Sequence, residues 1–195
     1  MSTDAARAGS ADDGASRPSG ELGTSLERLR TLLLAEGGLM ASLVELSPDR
    51  VAALQLPAGP AQLAAAGPRV DGRAADYELL IETIYEGYLL HYHTPRVVRP
   101  AEEDLGLLAG DRLYALGLAR LVELGDIEAV AELADVITLS ALARASIAPE
   151  LAEAVWMAGA RAVGWGASPP YEHAKALLRA GSPGALEELR RLGSV

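Results

Sequence analysis

The chain has 195 residues, of which 50% are hydrophobic and none is cysteine, and its formal net charge at pH 7 is -10. An acidic chain with no local Lys/Arg cluster repels phosphate backbones and anionic lipids, which argues against nucleic acid and membrane surfaces as partners. The missing cysteines exclude disulfides, a thiolate nucleophile and cysteine-type zinc sites.

The N-terminal stretch, residues 1–23, is rich in Ser, Asp, Gly and Ala and lacks the apolar core of a secretory signal. Its low hydrophobicity cannot offset the entropic cost of ordering, so we expect a disordered tail followed by a single all-helical domain over residues 24–195. No apolar run approaches the roughly 20 residues that a membrane-spanning helix needs. We therefore expect a cytoplasmic protein without a membrane span.

The first helix is predicted to begin with a capping-box pattern at Thr24 and to end at the glycine pair of residues 37–38. Residues 47–55 begin with Ser-Pro, which predicts a second, short helix. Residues 57–72 are interrupted repeatedly by Pro and Gly. This pattern favours short helical turns joined by loops.

Segment 72–93 is the first strongly periodic helix. At about 100° per residue, Glu78, Glu82 and Glu86 form one stripe opposite an apolar face. The apolar face consists of Leu80, Ile81, Ile84, Tyr85, Tyr88 and Tyr92. Such a glutamate stripe is typical of a solvated surface, although carboxylates four residues apart also have the chemistry to bind Mg²⁺.

Residues 101–125 form the next predicted helix, whose middle is apolar on nearly every face. Such a helix is expected in the centre of a bundle, and Gly117 would let a neighbouring helix approach closely. Asp126 follows as the N-cap of a helix that should pack antiparallel to its predecessor, because almost no linker separates the two.

The C-terminal third is predicted to contain three more helices. The first of them carries Trp156 and ends near residues 164–166. The last two share one design, with Ser168 and Ser182 as N-caps, proline just inside and glycine just after, and should form a helical hairpin. The sequence therefore predicts an all-α bundle of about seven or eight helices.

Two histidines stand at the end of segment 72–93. On a helix, His91 and His93 point about 200° apart and cannot hold one metal together. His173 is the remaining histidine, so the ligands that a zinc site would need are missing. The pattern predicts no metal at this position.

Asp111 interrupts an otherwise apolar stretch, where a lone carboxylate is costly unless it is paired. Arg112, Arg96 or Arg99 would supply the opposite charge, and a structural ion pair is the expected role. No Gly-x-Ser-x-Gly elbow and no phosphate-binding glycine loop occurs in the chain.

The order of these pieces resembles the central part of the trans-isoprenyl (polyprenyl) diphosphate synthases. The resemblance covers residues 77–145 and is carried by "YLLHYHTPRVVRP", by the "LLAGD" of residues 107–111 and by the following "ELGDIEAVAELADVI". In that family an apolar helix ends in a His-Asp-Asp stretch, an arginine pair follows, and an "LAGD" helix comes next. The resemblance implies an isoprenoid-synthase fold in truncated form.

The chain departs from the family at its metal-binding acids. His91 falls on the family's histidine, but Tyr92 and His93 stand where the paired aspartates should be, and no DDxxD occurs. Arg96 and Arg99 would correspond to the diphosphate-binding arginines, with shortened spacing. Mg²⁺ needs several hard oxygen ligands, which tyrosine and imidazole do not replace. The resemblance therefore implies a degenerate member without a catalytic metal site.

Some long-chain synthases of this family are heterodimers whose small chain lacks the aspartate motifs. The resemblance thus implies a non-catalytic accessory subunit, a pseudoenzyme that binds a catalytic synthase subunit and uses no cofactor. Tyr85, Tyr88 and Tyr92 would line the remnant cavity and touch a prenyl chain, unless they simply pack in the core.

Two alternatives remain open at this stage. A prenyltransferase-like enzyme with a divergent site would use Glu82, Glu86, His91 and Asp111, which would have to converge on one cavity, with Mg²⁺ as cofactor. A helical scaffold or regulatory homodimer unrelated to isoprenoids becomes the best hypothesis if the Asp111 helix does not run through the bundle centre beside segment 72–93.

Overall fold

A computed structural model describes residues 20–44 and 59–194, and over these ranges the chain is all-helical. The α-helices in chain order are α1 (Gly20–Glu36), α2 (Gly38–Ser42), α3 (Pro60–Ala65), α4 (Ala74–Tyr92), α5 (Glu103–Glu123), α6 (Ile127–Ala145), α7 (Pro149–Trp165), α8 (Pro169–Arg179) and α9 (Ala185–Gly193). The predicted all-α class is confirmed. None of the helices in the described ranges is long and apolar enough to cross a membrane.

The first helix begins earlier than its capping-box pattern predicts. Helical backbone already starts at Gly20, whereas the sequence assigned residues 20–23 to a disordered tail. The rest of that tail and the short helix predicted at residues 47–55 lie outside the described residues. The predicted stop is confirmed, because Gly37 and Gly38 have φ of 69° and 53°, a left-handed conformation that favours glycine.

The stretch before α4 follows its Pro/Gly pattern. Within residues 59–72 the chain forms the short α3 and a 3₁₀ turn, Pro68–Val70, as predicted. After α4 the chain returns across the bundle, and an antiparallel β-bridge joins Val98 to Val44 at the end of α2.

Helix α4 lies at the centre of the molecule. Residues 80–84 are all buried, which is more than one full helical turn, so α4 is covered on every side there. Its Ile81 and Tyr88 belong to a large apolar cluster with α3, α6, α7, α8 and α9. Its Leu79 and Leu90 pack against a second cluster formed with α1, α2, α5 and residues 97–98.

Helix α5 packs beside α4 and has an exposed outer face. Leu108 and Val122 on that face are 62% and 52% exposed. The prediction that this helix occupies the bundle centre is wrong, because α4 takes that position although its three glutamates suggest a polar face. The two helices nevertheless approach closely, as predicted: a Cβ added at Gly117 would lie 2.3 Å from Ile84 Cγ1.

Asp126 connects the start of α6 to Arg69 and to Tyr77 on α4. It caps α6 as predicted, because its carboxylate accepts the N–H of Ala129 at 3.0 Å. The same carboxylate accepts both terminal nitrogens of Arg69 at 2.6 Å each, and the hydroxyl of Tyr77. The bidentate guanidinium holds the pKa of Asp126 far below its usual range, with further support from Tyr77 and from the Ala129 N–H, although burial opposes the shift.

The last two helices form the predicted hairpin, and α9 also packs on α7. Ser168 caps α8 through its hydroxyl, which accepts the N–H of Tyr171 at 3.4 Å. The prediction that Ser182 caps α9 is wrong, because that helix begins at Ala185 and Gly184 holds the cap position. The Pro-Gly pair after Ser182 forms a turn instead.

Candidate functional site

The glutamate stripe of α4 does not face solvent. Glu82 and Glu86 are 1% and 0% exposed, so the prediction of a solvated stripe is wrong for these two residues. Glu78 is half-buried, and its carboxylate accepts Gln62 Nε2 at 3.1 Å. Helical periodicity placed the three on one stripe correctly, but the following segment of the chain covers that stripe.

Glu86 binds the covering segment through its backbone. Its Oε1 accepts the N–H groups of Arg96, Val97 and Val98 at 2.7, 2.6 and 3.1 Å, and its Oε2 accepts Arg96 Nε at 3.1 Å. Val97 and Val98 are fully buried. Buried backbone outside a helix needs an acceptor for its N–H groups, and the carboxylate supplies it.

Glu82 shares Arg96 with Glu86. Its Oε1 forms an ion pair with Arg96 Nη1, and the arginine side chain is 12% exposed. Burial raises the pKa of Glu82, the positive charge of Arg96 opposes that shift, and the charge of Glu86 adds to it. The two carboxylates outweigh the burial of Arg96 and raise the pKa of its guanidinium. One arginine therefore holds two buried acids.

Asp111 lies at the surface rather than in an apolar interior. Its side chain is 70% exposed, and its carboxylate lies 3.2 Å from His91 Nε2. The prediction of a buried acid paired with Arg112, Arg96 or Arg99 is therefore wrong, because α5 turns this face outward. The ring of His91 stacks on Tyr114 with 5.4 Å between centroids.

The three candidate arginines have other partners. Arg112 Nη2 lies 3.0 Å from Glu36 Oε2 on α1, and Arg96 lies between Glu82 and Glu86. Arg99 donates to the carbonyl of Pro95 in its own turn. Within the described residues none of these guanidinium groups faces Asp111.

The tyrosines of α4 pack against one another and against α7. The rings of Tyr85 and Tyr88 lie 5.0 and 5.3 Å from Trp156, and Tyr88 is completely buried. Tyr92, one turn further on, packs on Tyr88 at 5.3 Å and is 39% exposed. Tyr85 and Tyr88 therefore pack in or against the core, and Tyr92 extends the stack to the surface. A groove of about 630 Å³ lies between α7 and α9, and none of these tyrosines lines it.

Polar groups surround the buried hydroxyl of Tyr88. That hydroxyl accepts Arg144 Nε at 3.1 Å and donates to Glu153 Oε1 at 3.2 Å. Burial raises the pKa of Tyr88 to about 12, although Arg144 opposes the shift. His93 Nε2 lies 3.2 Å from Glu153 Oε1, and both burial and the charge of Arg144 lower the pKa of His93.

Sequence reasoning missed the partners that α6 and α7 supply to this cluster. The guanidinium of Arg144 covers the rings of Tyr88 and Tyr92 at 5.6 and 5.5 Å. Glu153, on α7, accepts hydrogen bonds from the hydroxyls of Tyr85 and Tyr88. The available signal was that both charged residues interrupt apolar helix faces, but it does not indicate which aromatic side chain they meet.

The acids and histidines do not converge on one site. Glu82 and Glu86 meet at Arg96, whereas His91 meets Asp111, and no hydrogen bond or ion pair within the described residues connects the two groups. No group of three or more His, Asp or Glu residues in the described ranges has the arrangement to hold a metal ion. The divergent-enzyme alternative, which would use Mg²⁺, needs Glu82, Glu86, His91 and Asp111 on one cavity, and the described residues do not bring these four together.

Comparisons with protein-family models, with curated proteins and with solved structures found no match to this chain.

Proposed function

We propose that this chain is a non-catalytic helical subunit that supports polyprenyl diphosphate synthesis by binding a catalytic synthase subunit. The observation that supports a non-catalytic role is that the carboxylate of Glu86 already binds other groups of the protein. Its Oε1 accepts three backbone N–H groups and its Oε2 faces Arg96 Nε. Mg²⁺ would have to displace this buried segment before it reached the carboxylate.

The resemblance of residues 77–145 supplies the class of partner. It is supported by the direct packing of the His91 end of α4 on the "LAGD" turn of α5, where a Cβ added at Gly110 would lie 2.7 Å from His91 Nε2. The positions at which the family carries aspartates have other partners in this chain, which supports the non-catalytic part of the proposal. Tyr92 packs under Arg144, and His93 pairs with Glu153.

Exposed apolar side chains favour action through protein contact. Leu108, Val122 and Ile147 are 62%, 52% and 91% exposed. Exposed apolar side chains of this size are available for contact with another protein. An accessory subunit needs such a surface and no metal.

The divergent-enzyme alternative requires Glu82, Glu86, His91 and Asp111 to act together, and the separation of the two groups argues against it. One observation favours a second candidate, a helical scaffold or regulatory homodimer unrelated to isoprenoids. The condition given for this candidate is met in part: helix α5 runs beside α4, but it lies at the surface and not in the bundle centre, so this candidate ranks equal with the accessory subunit.

The test combines the purified chain with catalytic subunits of long-chain prenyl synthases from the same genome. We expect no prenyl transfer by the chain alone in Mg²⁺, and co-elution with a synthase subunit together with a change in its product length or rate. Robust turnover by the isolated chain would refute the proposal. Asp111→Asn is the control, because an enzyme using that exposed acid would slow and a contaminating activity would not.

A further inference from the structure

The two buried glutamates of α4 carry more negative charge than their surroundings neutralise. Glu82 and Glu86 are 1% and 0% exposed, and within the described residues Arg96 is the only cation that forms an ion pair with either of them. We name these three residues the acid triad. Two ionised carboxylates against one guanidinium leave one unit of negative charge inside the protein. Such a buried charge is unfavourable, and binding of a proton removes it.

The two acids of the triad differ in the number of donors that stabilise their charged form. Glu86 accepts four N–H groups, which are the backbone N–H groups of residues 96–98 and Arg96 Nε. Glu82 has Arg96 Nη1 as its ion-pair partner and a hydrogen bond from Gln62. A carboxylate that accepts several backbone N–H groups is strongly stabilised as an anion. A proton that enters the triad therefore goes to Glu82.

The other polar groups around Glu82 do not supply the missing positive charge. Glu78, one turn earlier on α4, is itself an acid and accepts Gln62 from α3, which is uncharged. Burial raises the pKa of Tyr85, so this residue stays neutral on the other side of Glu82. From α7, Glu153 accepts the hydroxyl of Tyr85 and adds a further negative charge.

The triad also holds the covering segment, residues 96–98, against α4. Val97 and Val98 are fully buried in the apolar cluster that α1, α2 and α5 share with this segment. Val98 forms the bridge to Val44, and the N–H of Arg99 donates to the carbonyl of Leu43 at 2.7 Å. The charge of the triad therefore acts on the contact that joins α2 to the centre of the bundle.

We propose that Glu82 takes up one proton under mildly acidic conditions and that this proton strengthens the closure of the covering segment over α4. Glu86 and Arg96 then remain as a neutral ion pair, and the segment no longer encloses a net charge. When Glu82 is ionised, opening of the segment gives the extra charge access to water, so the segment opens more often. This pH-sensitive contact goes beyond the proposed function and does not rest on it.

The direction of the pH effect follows from the burial of Glu82. Burial raises its pKa, although Arg96 opposes the shift, so the folded chain keeps the proton where the unfolded chain has lost it. Stability therefore increases as pH falls from about 8 toward the unfolded pKa of about 4, and the unfolding constant changes by up to about tenfold per pH unit. Asp126 has a depressed pKa and loses its contribution only below about pH 5, so the two effects separate.

The first measurement follows the side-chain carboxyl carbon of Glu82 in the full wild-type chain by carbon-13 NMR. We expect its midpoint at least about one pH unit above the ordinary glutamate value of about 4.3. A midpoint at or below the ordinary value would refute the proposal. This measurement needs no substitution, so it decides the question even if a variant does not fold.

The second measurement compares urea unfolding of Glu82→Gln, which is always neutral, with wild type. We expect the unfolding constant of Glu82→Gln at about pH 8 to be about tenfold smaller than that of wild type, and the difference to disappear near pH 4.5. Glu78→Gln is the matched control and should keep the wild-type pH profile. A difference between Glu82→Gln and wild type that stays constant with pH, or a variant that is less stable at pH 8 and equal to wild type only below about pH 4, would mean an ordinary ion pair.

Amide hydrogen exchange tests whether the proton acts on the covering segment. The N–H groups of Val97 and Val98 bind Glu86, whereas that of Ala129 binds Asp126 and serves as the control. After correction for the intrinsic rate, we expect protection of Val97 and Val98 to rise about tenfold between about pH 7 and pH 5, and that of Ala129 to change less than about threefold. If all three change equally, or none changes, the covering segment is not the element that responds and the proposal is wrong.

Discussion

Replacement of Glu86 by glutamine tests whether this buried carboxylate holds the chain together. Glutamine keeps the shape of the side chain, and its carbonyl oxygen still accepts the N–H groups of residues 96–98. Its amide nitrogen then faces Arg96 Nε, donor against donor. Hydrogen bonds to a charged acceptor contribute roughly 1 kcal/mol more than those to a neutral one, and three are weakened here.

The removal of one of two like charges around Arg96 offsets part of this loss. We therefore expect Glu86→Gln to lower the free energy of unfolding by about 2–3 kcal/mol. Glu86→Ala leaves three buried N–H groups without an acceptor and should cost about 3–5 kcal/mol. Urea unfolding at pH 7, read as a shift of the midpoint at constant slope, measures both values.

Glu78→Gln is the matched control, because Glu78 lies on the same stripe of α4 but is only half-buried and, within the part of the chain that the structure describes, accepts a hydrogen bond from Gln62 alone. Its effect should stay within about 0.5 kcal/mol. If Glu86→Gln and Glu78→Gln shift the midpoint equally, the backbone segment does not depend on Glu86 and the reasoning fails.

Three further substitutions test other features of the fold. Ile147→Gly relieves a left-handed β-branched residue and should raise stability by about 1 kcal/mol in thermal unfolding, and a lower melting temperature would contradict the assigned strain. Gly117→Val places new atoms against Ile84 and should destabilise by about 2 kcal/mol or more, whereas an unchanged urea midpoint would mean that α4 and α5 are not in close contact. Asp126 has a depressed pKa in the folded state, so the stability it contributes is present above the unfolded pKa of about 4 and is lost as pH falls. The stability difference between wild type and Asp126→Asn should accordingly shrink between about pH 5 and pH 2, and a constant difference would contradict the pairing with Arg69.

Local signals predicted the helix boundaries well where one residue decides them. The side chains of Asp126 and Ser168 accept N–H groups in the first turns of α6 and α8, as their sequence positions indicate. Gly37 ends α1 because it can adopt positive φ. Ser182 fails as a cap because the Pro-Gly pair after it forms a turn before the helix begins. Proline is compatible with such a turn as well as with the first turn of a helix, so the sequence does not distinguish the two.

The candidate site could not be predicted because its partners come from distant parts of the chain. The period of α4 identifies the face that carries Glu82 and Glu86, but not what covers that face. The cover is residues 96–98, held in place by the bridge of Val98 to Val44, a contact between residues far apart in sequence. Periodicity describes one helix, whereas burial depends on its neighbours.

For the same reason, the sequence predicted α5 at the bundle centre, where the structure has α4. In the sequence, three glutamates predict a polar face for α4, and the leucines of α5 predict a helix that is apolar on nearly every face. In the structure the charge of Arg96 and the backbone N–H groups compensate the glutamates, so α4 is buried. Leu108 lies on the outer face of α5 and remains exposed. Burial of α4 and exposure of part of α5 thus both depend on neighbours that the two helix patterns do not reveal.

The "HYH" of residues 91–93 lies where the family resemblance places a histidine followed by paired aspartates. Paired aspartates at residues 92 and 93 would stand beside Glu153, with Arg144 as the cation that already contacts this cluster. Two more acids would leave the cluster strongly negative and would remove the ring on which the guanidinium rests. Tyr92 and His93 are therefore part of one packed arrangement with Arg144 and Glu153 at this end of α4.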